Sequence, residues 1–130
     1  MVVVQFLYTW CPHCQETARG LSKLQGEFGP KGLQVIGIAF NDEVNTKDDG
    51  KNKAELRKFR SHSTFPIGIS TKAAVLKYLG IADGERFGVP QLIIVDRAGM
   101  IRVQTEPLPT GAILAEANLR GKVTQVLDEK

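Results

Sequence analysis

The chain has 130 residues, 24% of them charged and 42% hydrophobic, with two cysteines and a formal charge of +3 from 17 basic and 14 acidic side chains. That size and mix suit one globular domain over residues 1–130, and two cysteines allow a single bridge, which excludes a disulfide-stapled miniprotein. The charge is scattered: the densest basic stretch, Lys51 to Arg60, is interrupted by Glu55 and has no aromatic stacking series beside it, so no nucleic-acid partner is expected.

The apolar start, Val2 to Tyr8, lacks the basic flank and cleavage site of a signal peptide, and no run approaches the roughly 18 apolar residues of a membrane span. A β-branched strand that begins at the second residue has no lead-in. A missing N-terminal targeting or anchor segment is therefore expected, and membrane contact only through it. Val2 to Thr9 is too short and too β-rich for a helix, and its nearly continuous apolar character predicts a central strand covered on both faces.

A helix should follow at once. Cys11 stands where an N-cap would, Pro12 suits the first helical position, and Ala18, Leu21, Leu24 and Phe28 recur at helical spacing until Gly29-Pro30. Leu33 to Phe40 predicts a second buried strand, joined to the first as a right-handed parallel βαβ unit. Asn41 to Gly50 reads as a polar loop, and Lys53 to His62 as a helix with Leu56 and Phe59 inward. Phe65 to Ile69 is a short strand. Ser70 or Thr71 can then cap a helix carrying Ala74, Val75, Tyr78 and Leu79 toward the core, ended by Gly80.

After the turn-rich Asp83 to Gly88, Leu92 to Val95 and Met100 to Gln104 predict a hairpin through Asp96-Arg97-Ala98-Gly99. Thr110 to Leu127, with Ile113, Leu114, Ala117, Val123, Val126 and Leu127, reads as an amphipathic helix. The element order predicts an α/β domain: a central mixed β-sheet flanked by helices on both faces, with a βα insert before the strand that follows Pro90.

Trp10-Cys11-Pro12-His13-Cys14 joins the first strand to the first helix. A bridge closing so short a loop would stabilise the fold by only about 2 kcal/mol, which makes it a poor staple and favours a redox couple. The helix N-terminus favours a thiolate at Cys11, and Cys14 lies almost one turn deeper, so Cys11 is expected to attack and Cys14 to resolve. An imidazole at His13 can stabilise the thiolate and push the couple toward oxidising potential; the alternative is an exposed histidine that tunes nothing. A structural zinc site needs four ligands, yet there is no second cysteine pair and His62 is the only other histidine. Neither a metal nor a cofactor is expected.

The run Phe6 to Cys14, followed far downstream by Gly88-Val89-Pro90, Leu92-Ile93-Ile94-Val95-Asp96 and Gly99, resembles the thioredoxin superfamily, and within it the TlpA-like and ResA-like thiol-disulfide oxidoreductases. The likeness covers nearly the whole chain. It implies a thioredoxin-like fold in which Phe65 to Ile81 supplies the branch's extra βα element. It also implies a cis peptide at Val89-Pro90 facing the cysteines, with the Val89 backbone pairing with an extended substrate; Phe65-Pro66 is the rival. In the family, Trp10 would shield the site, the other role being a core aromatic at the strand end.

There are departures. Thioredoxins carry a buried acid where this chain has Gln5, and TlpA-like members often have Glu at the place of Thr17, with Glu16 one position earlier here. Arg19 replaces a helix-kinking proline. A carboxylate proton relay is therefore not carried over, and Glu16 reads as a solvated acid. Pro12-His13 and Val89 also match the oxidising DsbA type, but the stretch from Cys14 to Pro90 is too short for its helical domain.

The expected function is thiol-disulfide exchange with protein thiols or disulfides, served by an upstream redox partner and carried out by a monomer. A peroxiredoxin-like peroxidase is the alternative within enzymes, though such enzymes place Thr or Ser where Tyr8 stands, in a proline-led motif. A non-catalytic binding module or metal chaperone using Cys11, His13 and Cys14 is the alternative outside them. By resemblance the setting is extracytoplasmic, in the periplasm of a bacterium.

Overall fold

Side chains of the first strand, β1 (Val2–Leu7), alternate between two cores: Val3 and Leu7 enter one and Val4 and Phe6 the other. That is why its sequence is apolar almost throughout. The computed structural model describes residues 1–109, 111 and 115–129. β1 is the middle of a five-stranded sheet, with the strands Gln34–Ala39 and then Ile67–Ile69 on one side and Gln91–Val95 and then Ile101–Gln104 on the other.

α1 (Pro12–Phe28) starts as the sequence predicts, with Cys11 as N-cap and Pro12 in the first turn. Cys14, Thr17, Ala18, Leu21, Leu24 and Phe28 form its buried stripe. The chain does not leave helical geometry at Gly29-Pro30. A 3₁₀ turn (Gly29–Lys31) prolongs it, and the left-handed residue is Gly32 at φ 107°. β2 (Gln34–Ala39) then runs parallel to β1, with Val2 opposite Gln34 and Leu7 opposite Ala39.

α2 (Asp49–Phe59) begins four residues before the predicted Lys53. The reason is a cap: Asp48 Oδ1 accepts from the Lys51 N–H at 3.1 Å. A 3₁₀ turn (Arg60–His62) supplies the predicted last residues. Another 3₁₀ turn (Asp42–Val44) interrupts the predicted loop and buries Val44. Phe59 is fully buried and Leu56 half-buried, both on the α1 side of the sheet.

The insert forms β3 (Ile67–Ile69), an edge strand parallel to β2, and α3 (Lys72–Leu79). A Cβ on Gly37 of β2 would lie 3.2 Å from side-chain atoms of Leu7, Phe65 and Ile67, so the insert docks where β2 has no side chain. Thr71 caps α3, its Oγ1 accepting from the Ala74 N–H at 3.2 Å, and Gly80 ends it at φ 75°. Val75 and Leu79 point inward as predicted; Ala74 and Tyr78 do not. Each sits one residue before an inward position and is turned about 100° away. Tyr78 is 60% exposed, resting its ring 6.0 Å from Phe6 at the rim of the core.

β4 (Gln91–Val95) is antiparallel to β1, and β5 (Ile101–Gln104) is antiparallel to β4. In the turn between them Asp96 Oδ1 accepts from the N–H groups of Ala98 and Met100, and Gly99 takes φ 84°. Met100, predicted inside the strand, precedes it and is exposed. The last described helix, α4 (Glu116–Asp128), buries Leu119, Val123, Val126 and Leu127 against the α1 face. Ala117 is exposed, on the opposite side of that stripe. The predicted Ile113 and Leu114 lie outside the described residues.

The sheet is thus covered by α1, α2 and α4 on one face and by α3 on the other. Among the described residues no helix is long and apolar enough to cross a membrane.

Candidate active site

β1 ends at Leu7, and Tyr8 to Cys11 turns the chain into α1. Thr9 is the pivot of that turn. Its N–H donates to Asn41 Oδ1 at 3.2 Å, its hydroxyl donates to Glu55 Oε1 at 3.0 Å and accepts from Asn41 Nδ2 at 2.9 Å, and its carbonyl accepts from Gln15 Nε2 at 3.1 Å. Bonds from the segment after β2, from α2 and from α1 therefore hold the residue two places before Cys11.

At the head of α1 the sulfur of Cys11 does the work of a capping oxygen, accepting from the Cys14 N–H at 3.4 Å. Cys11 is 6% exposed and Cys14 is fully buried. Both are free thiols. The Cys11 thiol is lowered to about 6, first by the hydrogen bond from the Cys14 thiol; burial opposes this, and the N–H groups of Cys14 and His13 reinforce it. The charge of the His13 side chain is the least of the causes. Cys14 is pushed far up, first by burial and then by its hydrogen bond to Cys11. The two thiols thus divide into one that ionises near neutrality and one that holds its proton.

The segment before β4 closes the other side. The Val89–Pro90 peptide is cis, whereas the rival Pro66 is not, and the Val89 carbonyl lies 3.9 Å from Cys11 Sγ. Gln91, 1% exposed, anchors this segment: its Nε2 donates to the carbonyls of Gly88, Glu106 and Pro107, and its Oε1 accepts from the Thr105 hydroxyl at 2.7 Å. Trp10 is no core aromatic. It is 55% exposed, with its ring 5.4 Å from Tyr8, which packs in turn on Phe40 at 4.7 Å. His13 and Pro12 are exposed beside the cysteines.

A groove of about 680 Å³ beside this point is lined by His13, Thr17, Gly20, Pro90, Leu108 and Leu119 among others. Its length along α1, from His13 to Lys23, is roughly 15 Å at 1.5 Å per residue, enough for a few extended residues.

Cys11 and Cys14 are brought together with Val89 and Pro90, which lie more than 70 residues further along the chain, with Trp10, Pro12 and His13 around them. Three contributors were not identified from sequence: the Thr9–Asn41–Glu55 unit, Gln91, and Gln5, whose Nε2 donates to the Cys14 carbonyl at 2.9 Å. Only Gln5 carried a signal, a polar residue inside an apolar strand. Glu16 is exposed and Thr17 buried at 7%.

The AhpC/TSA family model matches residues 1–104, which run from β1 to the end of β5. Protein FixW of Rhizobium leguminosarum is 28% identical over 101 residues, covering 76% of this chain and 45% of FixW, so the chain spans less than half the length of that relative. Among solved structures the chain is similar to a Chlorobium tepidum protein assigned as thiol:disulfide interchange protein DsbE, with a TM-score of 0.72 at 18% identity over 97% of this chain and 79% of that one. A thiol:disulfide interchange protein of the thioredoxin family from Chlorobium tepidum TLS gives 0.68 at 21% identity, covering 97% and 79%. A secreted disulfide oxidoreductase of Mycobacterium tuberculosis gives 0.64 at 18%, covering 95% and 80%. The fold is thioredoxin-like.

Proposed function

We propose that this chain, which belongs to the AhpC/TSA family, is a TlpA-like thiol-disulfide oxidoreductase that exchanges disulfides with protein cysteines through Cys11 and Cys14. One observation carries the reading: Cys11 Sγ is held at the head of α1 by the Cys14 N–H, with its thiol lowered to about 6, while Cys14 behind it stays protonated.

In the reductive direction the Cys11 thiolate attacks one sulfur of a substrate disulfide. The substrate S–S bond breaks, the distal sulfur leaves as a thiolate, and Cys11 is joined to the proximal sulfur. Cys14 Sγ then attacks Cys11 Sγ, the substrate sulfur leaves with its electron pair and takes up the Cys14 proton, and the pair ends as a disulfide. Two electrons pass from the cysteines to the substrate; the oxidase direction reverses every step. An upstream redox partner would reset the pair.

In this reading Val89 offers its backbone to an extended substrate beside Cys11, Trp10 covers the reacting sulfurs, and the chain flanking the substrate cysteine lies along the groove that Leu108 helps to line. Pro12 starts the helix that lowers Cys11, and His13 adds its N–H. An extracytoplasmic setting suits such exchange. Against a peroxidase, Tyr8 stands where such enzymes place Thr or Ser, and the hydroxyl of the neighbouring Thr9 is committed to Glu55 and Asn41.

The test is trapping. Cys14→Ser should accumulate mixed disulfides with protein substrates, and these should vanish when Cys11→Ala is added. Failure of the intact protein to reduce or form insulin-type disulfides would remove the reading.

A further inference from the structure

Gln5 is fully buried on the middle strand, in the layer between β1 and α1. Its Nε2 donates to the Cys14 carbonyl at 2.9 Å, and because a carbonyl only accepts, that bond fixes which way the amide faces. Its Oε1 is left with no partner, and among the described residues no other buried side-chain nitrogen or oxygen is in that condition. A leucine of similar volume would spare the fold an unsatisfied acceptor. An orphaned group in the core, attached to the peptide of one reacting cysteine, calls for a state in which it is used.

The reaction contains such a state. In the resting dithiol Cys11 Sγ sits 3.4 Å from the Cys14 N–H, and as a thiolate it is a charged acceptor for the neighbouring Cys14 thiol. Once Cys11 is joined to a substrate its sulfur carries no charge, and the buried S–H loses its partner.

We propose that Gln5 is a positioning residue for the resolving thiol: in the mixed disulfide its Oε1 accepts the Cys14 S–H hydrogen bond and holds the sulfur in line with Cys11 Sγ. The inference rests on the dithiol-exchange reading. The amide accepts a hydrogen bond and not the proton, which passes to the leaving substrate sulfur as the Cys11–Cys14 bond forms and the Cys11–substrate bond breaks. Gln5 therefore acts on the second step alone.

An aromatic disulfide that releases a coloured thiolate separates the steps, because reduced protein liberates one equivalent when Cys11 attacks and a second when Cys14 resolves. In Gln5→Leu the first phase and the pH midpoint of Cys11 alkylation should stay at wild-type values, while the second phase slows roughly tenfold, the rate equivalent of one modest hydrogen bond. The urea midpoint should equal or exceed that of the wild type, the opposite of what a structural role predicts. Gln5→Glu, which restores an acceptor, should recover most of the second phase. If Gln5→Leu does not fold, Gln5→Met carries the same comparison. A second phase at wild-type rate in the apolar variant overturns the proposal. Absence of either equivalent from the wild-type protein overturns dithiol exchange itself, and the proposal with it.

Discussion

The Cys14 N–H points at Cys11 Sγ from 3.4 Å, so the sulfur that attacks is also the cap of the helix that carries its partner. The cap favours a negative sulfur, and a stable thiolate makes a stable dithiol and a more oxidising couple.

The potential should therefore depend on pH in two segments. Above pH 6 Cys11 is mainly thiolate while Cys14 keeps its proton, so oxidation releases two electrons and one proton. The potential should then fall by about 30 mV per pH unit, and by about twice that below pH 6, where two protons are released. Equilibration with glutathione buffers from about pH 5 to 8 measures it. A single slope of about 59 mV across that range would contradict the division of the two thiols.

Stability of the reduced protein should follow the same pair. Cys11 ionises at about 6 when folded, against an ordinary 9.0. Between those values the unfolded chain holds a proton that the folded one has lost, so stability rises with pH across this window and is lost as pH falls through 6. Cys14 acts in the other sense: its folded value is raised, so its contribution is complete below pH 9.0 and is lost as pH climbs further. Urea midpoints of the reduced form should peak near pH 9, and those of the Cys11→Ser, Cys14→Ser double variant should lack both limbs.

Trp10→Ala separates binding from folding. The ring is 55% exposed and rests on Tyr8, so its removal should change stability by less than about 1 kcal/mol. A protein substrate should lose several-fold in kcat/KM through KM, while Cys11 alkylation keeps its pH midpoint. An unchanged KM would leave Trp10 without a role in binding.

Gln91→Ala should do more damage than its distance from the sulfurs suggests. It takes a donor from the carbonyls of Gly88, Glu106 and Pro107 and an acceptor from the buried Thr105 hydroxyl. A loss of about 2–3 kcal/mol is expected, with a fall in kcat/KM because the Val89 carbonyl is no longer held beside Cys11. Denaturant midpoints and steady-state rates check both; a stable variant with wild-type kinetics would show the anchor to be dispensable.

Much of this was legible in the sequence because local rules wrote it there. Cys11 before Pro12 marks a helix start, the nearly continuous apolar β1 marks a strand with two covered faces, and Asp96 to Gly99 marks a hairpin. The start of α2 was missed because its cap, Asp48, lies inside an acidic run that reads as loop. Tyr78 was misplaced because on an eight-residue helix a one-residue error of phase turns an inward side chain outward. The polar anchors were illegible for another reason. Gln91 reaches Pro107 across 16 residues and Thr9 reaches Glu55 across 46, and no spacing rule relates them.

Asn41 offers the sharpest separation of anchoring from charge. It is 4% exposed and binds Thr9 twice while donating to Glu43, with Glu55 on the far side of the same threonine. Asn41→Ala leaves the Thr9 N–H unpaired in the interior and should cost about 1–3 kcal/mol at any pH. Asn41→Asp keeps an oxygen for that N–H but sets a third carboxylate beside Glu43 and Glu55. Its deficit relative to the wild type should be large at pH 7 and should shrink at pH 5 as the new acid takes up a proton to relieve the repulsion. Urea midpoints of both variants and the wild type at the two pH values decide it. In each variant the rate of Cys11 alkylation should change along with stability, because the peptide that Asn41 holds is the one that leads into Trp10 and Cys11. Equal deficits at both pH values for Asn41→Asp would mean that the two glutamates do not sense the charge at position 41.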